Sequence, residues 1–106
     1  MSKSLDRVII RRAHALIADE RHWSWGALAR DENGHHVDPT DVEARRWCAY
    51  GALISAAYEL AGDLSVAHHL AASATRHLPC CSLIKTNDTQ GRAAALALFE
   101  KAITAS

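Results

Sequence analysis

The chain has 106 residues and a mass of 11.5 kDa, with 12 Lys+Arg against 12 Asp+Glu. That length supports one domain, residues 1–106, around one core and excludes a multidomain enzyme. A net charge of +0 leaves no global field for nucleic acid or an anionic membrane, so neither is expected as a partner.

From Ser4, the apolar residues Leu5, Val8, Ile9, Ala13, Leu16 and Ile17 recur every three or four positions. They predict a first helix ending near Asp19 or Glu20, with Asp6, Arg7, Arg11 and His14 on its solvated face. Helical periodicity stops at Arg21. Asn33-Gly34 signals a tight turn, so the stretch near residues 23–37 reads as a short loop or β-hairpin insertion. Trp23 and Trp25 lie two apart, and an extended backbone would point both indoles to one side, as a lid on the core or a ligand platform.

Asp38-Pro39-Thr40-Asp41 has the form of a helix start: a capping Asp, Pro in the first turn and an acid at the positive end. A second helix is therefore expected from Pro39, with Asp41 and Arg45 paired across one turn. From Trp47 to Leu60 it turns apolar nearly all round, the pattern of a central helix. The apolar run to Ala61 is about fifteen residues, short of the roughly twenty that cross a bilayer. Gly51 in its interior is unfavourable by about 1 kcal/mol relative to Ala, which points to close approach by a neighbouring backbone or indole. Gly62 supplies the stop.

A third helix is expected from Asp63 or Leu64 to Leu78, with Leu64, Ala67, Ala71, Ala74 and Leu78 on one seam, ended by Pro79. After the loop Pro79-Cys80-Cys81-Ser82 and the short apolar piece Leu83-Ile84, Asp88 or Thr89 would cap a last helix. That helix turns Ala95, Leu96, Phe99, Ala102 and Ile103 inward.

Cysteine use points to a reducing compartment: three thiols, two of them adjacent, do not make a disulfide framework. The amino terminus lacks the pattern of a secretory signal, so a cytoplasmic location is expected. Cys48 is the first candidate for chemistry. With His68, His69 or His77 as base and Asn87 or Asp88 as orienting group it would form the nucleophilic set of a hydrolase or transferase. Its expected place, about ten residues into the second helix, lies beyond the first turn where the helix dipole lowers a thiol pKa, so a buried core cysteine is the preferred reading. His77, Cys80 and Cys81, with His68 and His69 nearby, form a weaker zinc-binding candidate. The adjacency of the two cysteines hinders tetrahedral ligation by both sulfurs, and no cofactor or metal is expected. Asn87-Asp88 reads as a cap and turn former, or as polar contacts for a ligand at the last helix N-terminus.

Taken in order, Trp25-Gly26-Ala27-Leu28-Ala29-Arg30-Asp31, Gly34, Asp38-Pro39, Ala44, Trp47-Cys48 with Gly51-Ala52-Leu53, and Asn87-Asp88 resemble a family of small uncharacterised bacterial and phage proteins, a domain of unknown function. The resemblance implies that Cys48, Gly51, Asn87 and Asp88 belong to one shared arrangement, and it brings no activity with it.

These readings combine into a mainly α single domain, a bundle of about four helices around a central apolar helix. The function expected is a small binding or interaction module without enzymatic activity. Its binding residues would be Trp23, Trp25, Cys48, Asn87 and Asp88, and its partner an unknown protein, a small polar ligand or a second copy in a homodimer. A Cys48-dependent hydrolase or transferase and a zinc-binding domain are the alternatives.

Overall fold

A computed structural model describes residues 3–79 and 82–104. It is mainly helical, with α1 (Lys3–Ala18), α2 (Ala49–Ala61), α3 (Leu64–Thr75), α4 (Leu83–Gln90) and α5 (Arg92–Thr104). Between α1 and α2 lie a 3-10 turn (Glu20–His22) and two short strands, β1 (Ala29–Arg30) and β2 (Arg46–Trp47), paired antiparallel.

Helix α2 packs against all four other helices. Leu53, Ile54, Ala52 and Ala57 are fully buried there and meet Ile9, Ile10, Ala13 and Ile17 of α1, the Ala67-Leu70-Ala71-Ala74 seam of α3, and Phe99 of α5 in one continuous core. The small seam of α3 leaves room for α2 to come close, since alanine adds little bulk between helix axes. On α1 the inward face is rotated from the expected one: Ile10 is buried, Val8 is exposed, and Asp6, expected in solvent, is buried. Leu64 of α3 is likewise exposed. Helix α3 stops at Thr75, three residues short of the expected end, and its last residues close as turns onto Ser73, Ala74 and Thr75 carbonyls.

The second helix begins at Ala49, not at Pro39. Asp38 and Asp41 do act as local acceptors: Asp38 Oδ1 receives Thr40 N at 2.9 Å and Thr40 Oγ1 at 2.6 Å, and Asp41 Oδ1 receives Glu43 N at 2.8 Å. These are Asx turns, which a helix cap resembles in sequence. No helix follows because the next backbone groups are taken by the strand pairing: Arg45 N donates to Arg30 O at 2.8 Å, and β2 joins β1. The expected Asp41–Arg45 pair is absent, Arg45 Nη1 donating instead to the Val42 and Ala44 carbonyls.

Gly62 caps α2 in the left-handed conformation (φ 70°), its N–H on Tyr58 O, as expected. At the other end of the chain there are two helices where one was expected. Ser82 caps α4 through Lys85 N, and Gly91 (φ 92°) separates α4 from α5. Asn87 and Asp88 therefore lie inside α4 and do not cap the last helix. Ala95, Phe99 and Ala102 of α5 do turn inward, with Leu96 and Ile103 packed at the edge. No helix among the described residues is long and apolar enough to cross a membrane.

Candidate functional site

The segment from Trp23 to Trp47 lies over the N-terminal end of α2 and along α4. The Asn33-Gly34 turn forms as expected, with Gly34 at φ 85° and Asp31 Oδ1 accepting the N–H groups of Asn33 and His35 at 2.9 Å each. Arg30 ties the segment to itself: its Nε reaches Ser24 Oγ at 3.0 Å, Nη1 the Gly34 carbonyl at 2.9 Å, and Nη2 the Trp25 carbonyl at 3.1 Å. A guanidinium with its donors so distributed ties the Ser24-Trp25 stretch to the Gly34 turn.

Asn87 anchors this segment to the helices. It is fully buried, and its Oδ1 accepts Trp23 Nε1 at 2.7 Å and Ala49 N at 3.0 Å. Its Nδ2 donates to Ser24 O at 3.1 Å and to Asp88 Oδ1 at 3.0 Å. The same Asp88 oxygen accepts Gly26 N at 3.1 Å. One amide thus fills both acceptor and both donor positions while joining α4, the insertion and the first turn of α2.

Gly51 completes the fit. A Cβ at this position would stand 1.9 Å from Leu28 O and 2.8 Å from Leu28 C, so only glycine admits the Leu28 backbone. The expected close approach is therefore by the backbone of the insertion. The Leu28 carbonyl also accepts Cys48 N at 3.2 Å.

Cys48 is the N-cap of α2, its Sγ accepting Gly51 N at 3.3 Å. This corrects its expected position deep within a helix. A helix N-terminus favours thiolate, but Cys48 is buried, and burial pushes its thiol pKa up. The Asp88 carboxylate raises it further, while the Gly51 and Tyr50 N–H groups pull the other way and do not prevail.

The chain belongs to a family of unknown function, DUF6197. The family model matches residues 1–105, the whole of the arrangement just described. No curated protein and no solved structure matches the chain.

Of the residues singled out by sequence, the fold gathers Trp23, Cys48, Asn87 and Asp88 at one junction. Trp25 does not share a side with Trp23: Trp23 packs on the core, and Trp25 is 61% exposed. The chain turns into a bend from Trp25 onward, with Gly26 next to it at φ 76°, so the alternation of an extended strand does not apply. None of the three histidines joins Cys48 through a hydrogen bond. The side-chain and backbone hydrogen bonds of Thr40 hold the Asp38 carboxyl below its ordinary range, with a smaller contribution from His68, which stands near it. His69 and His77 line a cavity on the far part of α3 with Asp6. Cys80 and Cys81 lie outside the described residues, and among the described residues no group of three or more His, Cys, Asp or Glu gathers as metal ligands.

Sequence reasoning missed Asp6, Ser73 and Arg76. Asp6 is buried on α1, and its Oδ2 receives His77 Nε2 at 2.8 Å and Ser73 Oγ at 3.1 Å. With the carboxylate ionised, Nε2 carries the imidazole proton, which leaves Nδ1 as the acceptor nitrogen when the ring is neutral. The signal was present in the spacing: positions 6, 10, 13 and 17 form one helical stripe, and the three apolar members of that stripe are buried.

Proposed function

We propose that the chain is a non-catalytic interaction module whose recognition element is the insertion of residues 23–47, with Trp25 as its anchor and a second copy of the chain as its partner. The observation that carries this reading is the contrast between Asn87 and Trp25. Asn87 ties the insertion to α4 and α2 through Trp23, Ser24 and Ala49, and Trp25 stands 61% exposed beside that anchor. Rigid, exposed aromatic side chains are the residues most enriched where binding energy concentrates, because they bring large contact area with little entropy to lose. Leu28 of the insertion and Ile84, one turn before Asp88 on α4, add exposed apolar surface. Pairing about Trp25 would need about 800 Å² from each partner to be stable.

A Cys48-dependent hydrolase or transferase is the second reading, favoured by the place of Cys48 at the N-terminus of α2 and opposed by its burial and raised pKa. Sedimentation equilibrium of the wild type and Trp25→Ala, from micromolar to near-millimolar concentration, tests the first. The wild type is expected to dimerise, and the variant to do so at least about thirtyfold more weakly, the loss of about 2 kcal/mol that marks an interface anchor. A wild type that stays monomeric throughout refutes self-pairing, and undiminished pairing by the variant removes the insertion as its seat.

A further inference from the structure

At the foot of the insertion, Arg21, His22, Glu32, Arg45 and Arg46 line a cavity of about 400 Å³. A second, of about 470 Å³, adjoins it, sharing Arg21 and Arg46 and adding Arg92 and Glu20. Trp25 lines neither, so nothing about them depends on the interaction reading. The chain as a whole is neutral, yet here guanidinium groups converge with few carboxylates to meet them. Arg46, exposed on β2, makes no side-chain hydrogen bond or ion pair among the described residues. Arg45 spends Nη1 on the Val42 and Ala44 carbonyls, at 2.9 and 3.0 Å, which leaves Nε and Nη2. Arg21 grips Asp19 through Nε and Nη2, which leaves Nη1. Arg92 donates to Ala18 O at 2.7 Å and stands 3.9 Å from Glu20.

The strand register sharpens this excess. It sets Arg46 directly opposite Arg30, and Arg30 meets a hydroxyl and two carbonyls but no carboxylate. Like charges facing each other across a strand pair are unfavourable, and an anion seated beside them removes that cost. Asp19 offsets Arg21 and Glu20 faces Arg92, so Glu32 alone answers Arg45 and Arg46. A carboxylate ligand would be held by the fork of one arginine. A phosphate group carries more charge and at least three acceptor oxygens, enough to take donors from Arg21, Arg45 and Arg46 together. We propose that the cavity around Arg46 binds a phosphate group, free or carried on a small molecule, with Arg45 and Arg46 as its main ligands. The adjoining cavity gives the rest of such a molecule room to lie.

The test is NMR titration of the full chain with inorganic phosphate and with glycerol phosphate, up to about 10 mM so that millimolar affinities are seen. Ionic strength is held constant with sodium chloride, because screening alone alters the interactions of exposed charges. At least one of the two is expected to shift the backbone amides of His22 and Arg46 saturably, and the tighter binder tells free phosphate from a phosphorylated molecule. Arg46→Gln, at an exposed side chain, should weaken binding about fivefold or more. Glu32→Gln removes the one carboxylate lining the first cavity and should strengthen binding about twofold. Arg11→Gln, at an exposed arginine that lines neither cavity, should leave it unchanged. No saturable shift with either compound overturns the proposal, as does undiminished binding by Arg46→Gln. An equal loss in Arg11→Gln would mark a response to net charge alone and overturn it. Shifts matched by sodium acetate at the same ionic strength would identify an adventitious ion only, and overturn it too.

Discussion

Gly51→Ala sets two physical effects against each other with opposite signs. Judged by helix propensity alone, the substitution stabilises α2 by up to about 1 kcal/mol. The structure demands the reverse. The new Cβ would lie 1.9 Å from Leu28 O, where ordinary contact begins at 3.4 Å, so the insertion must retreat from α2 by about 1.5 Å. Retreat stretches the Cys48 N to Leu28 O hydrogen bond beyond its present 3.2 Å, a loss of about 1 kcal/mol. It also disturbs Ala29, which has no solvent exposure, and overpacking of this kind typically costs about 1–3 kcal/mol. After the propensity gain, a net destabilisation of about 2 kcal/mol remains. Urea unfolding followed by far-UV circular dichroism and tryptophan fluorescence measures it, provided that the slope of stability against urea is unchanged. A variant as stable as the wild type, or more so, would refute the argument that the Leu28 backbone is seated on this glycine.

Asn87→Ala would strand the Trp23 indole N–H and the Ala49 N–H, each now bonded to Asn87 Oδ1. At about 1–3 kcal/mol for a buried donor left unpaired, the expected loss is about 3 kcal/mol, read by the same unfolding experiment, and a loss under about 0.5 kcal/mol would contradict the anchoring role. Cys48 gives a pH dependence of definite sign. Its folded pKa is raised, so its contribution to stability is fully present below the ordinary thiol value of about 8.5 and is lost as pH rises above it toward the raised value. Cys48→Ser retains a capping oxygen and removes the titration. Its stability should therefore fall less than that of the wild type over this alkaline range, and parallel curves would show that the thiol is not shielded.

What was legible in the sequence is what is decided locally. The stripe through Ile9, Ala13 and Ile17 marked α1, Gly62 marked the end of α2, and Asn33-Gly34 marked its turn, because helix periodicity, a left-handed cap and a tight turn each need only a few neighbouring residues. Gly51 was legible as an anomaly, a glycine retained inside a helix pattern, although not which backbone lay against it. The start of α2 was misread because Asp38-Pro39 and an Asx turn share one sequence signature, and the choice between them was made by β1, which lies before the Asn33-Gly34 turn. Cys48 was accordingly expected to be buried for the wrong reason: it stands at the helix N-terminus after all, and burial, not distance from the dipole, keeps its pKa high. Asn87 was read as a local cap because an Asn-Asp pair usually is one. Its partners, Trp23 and Ser24, are more than sixty residues away, beyond the reach of any local pattern. Asp6 was assigned to solvent by its charge, when its position on the stripe placed it inside with Ser73 and His77.

The most direct test of a non-catalytic module built on a sealed junction is the alkylation rate of Cys48 in the native protein from pH 5 to 9, read by peptide mass. Protection of Cys48 across this range, lifted only by denaturant, is the expected result, since the thiol is buried and its pKa raised. Rapid labelling near pH 6 would reveal an accessible thiolate at the N-terminus of α2 and would contradict the account, making Cys48 a nucleophile in place of a cap.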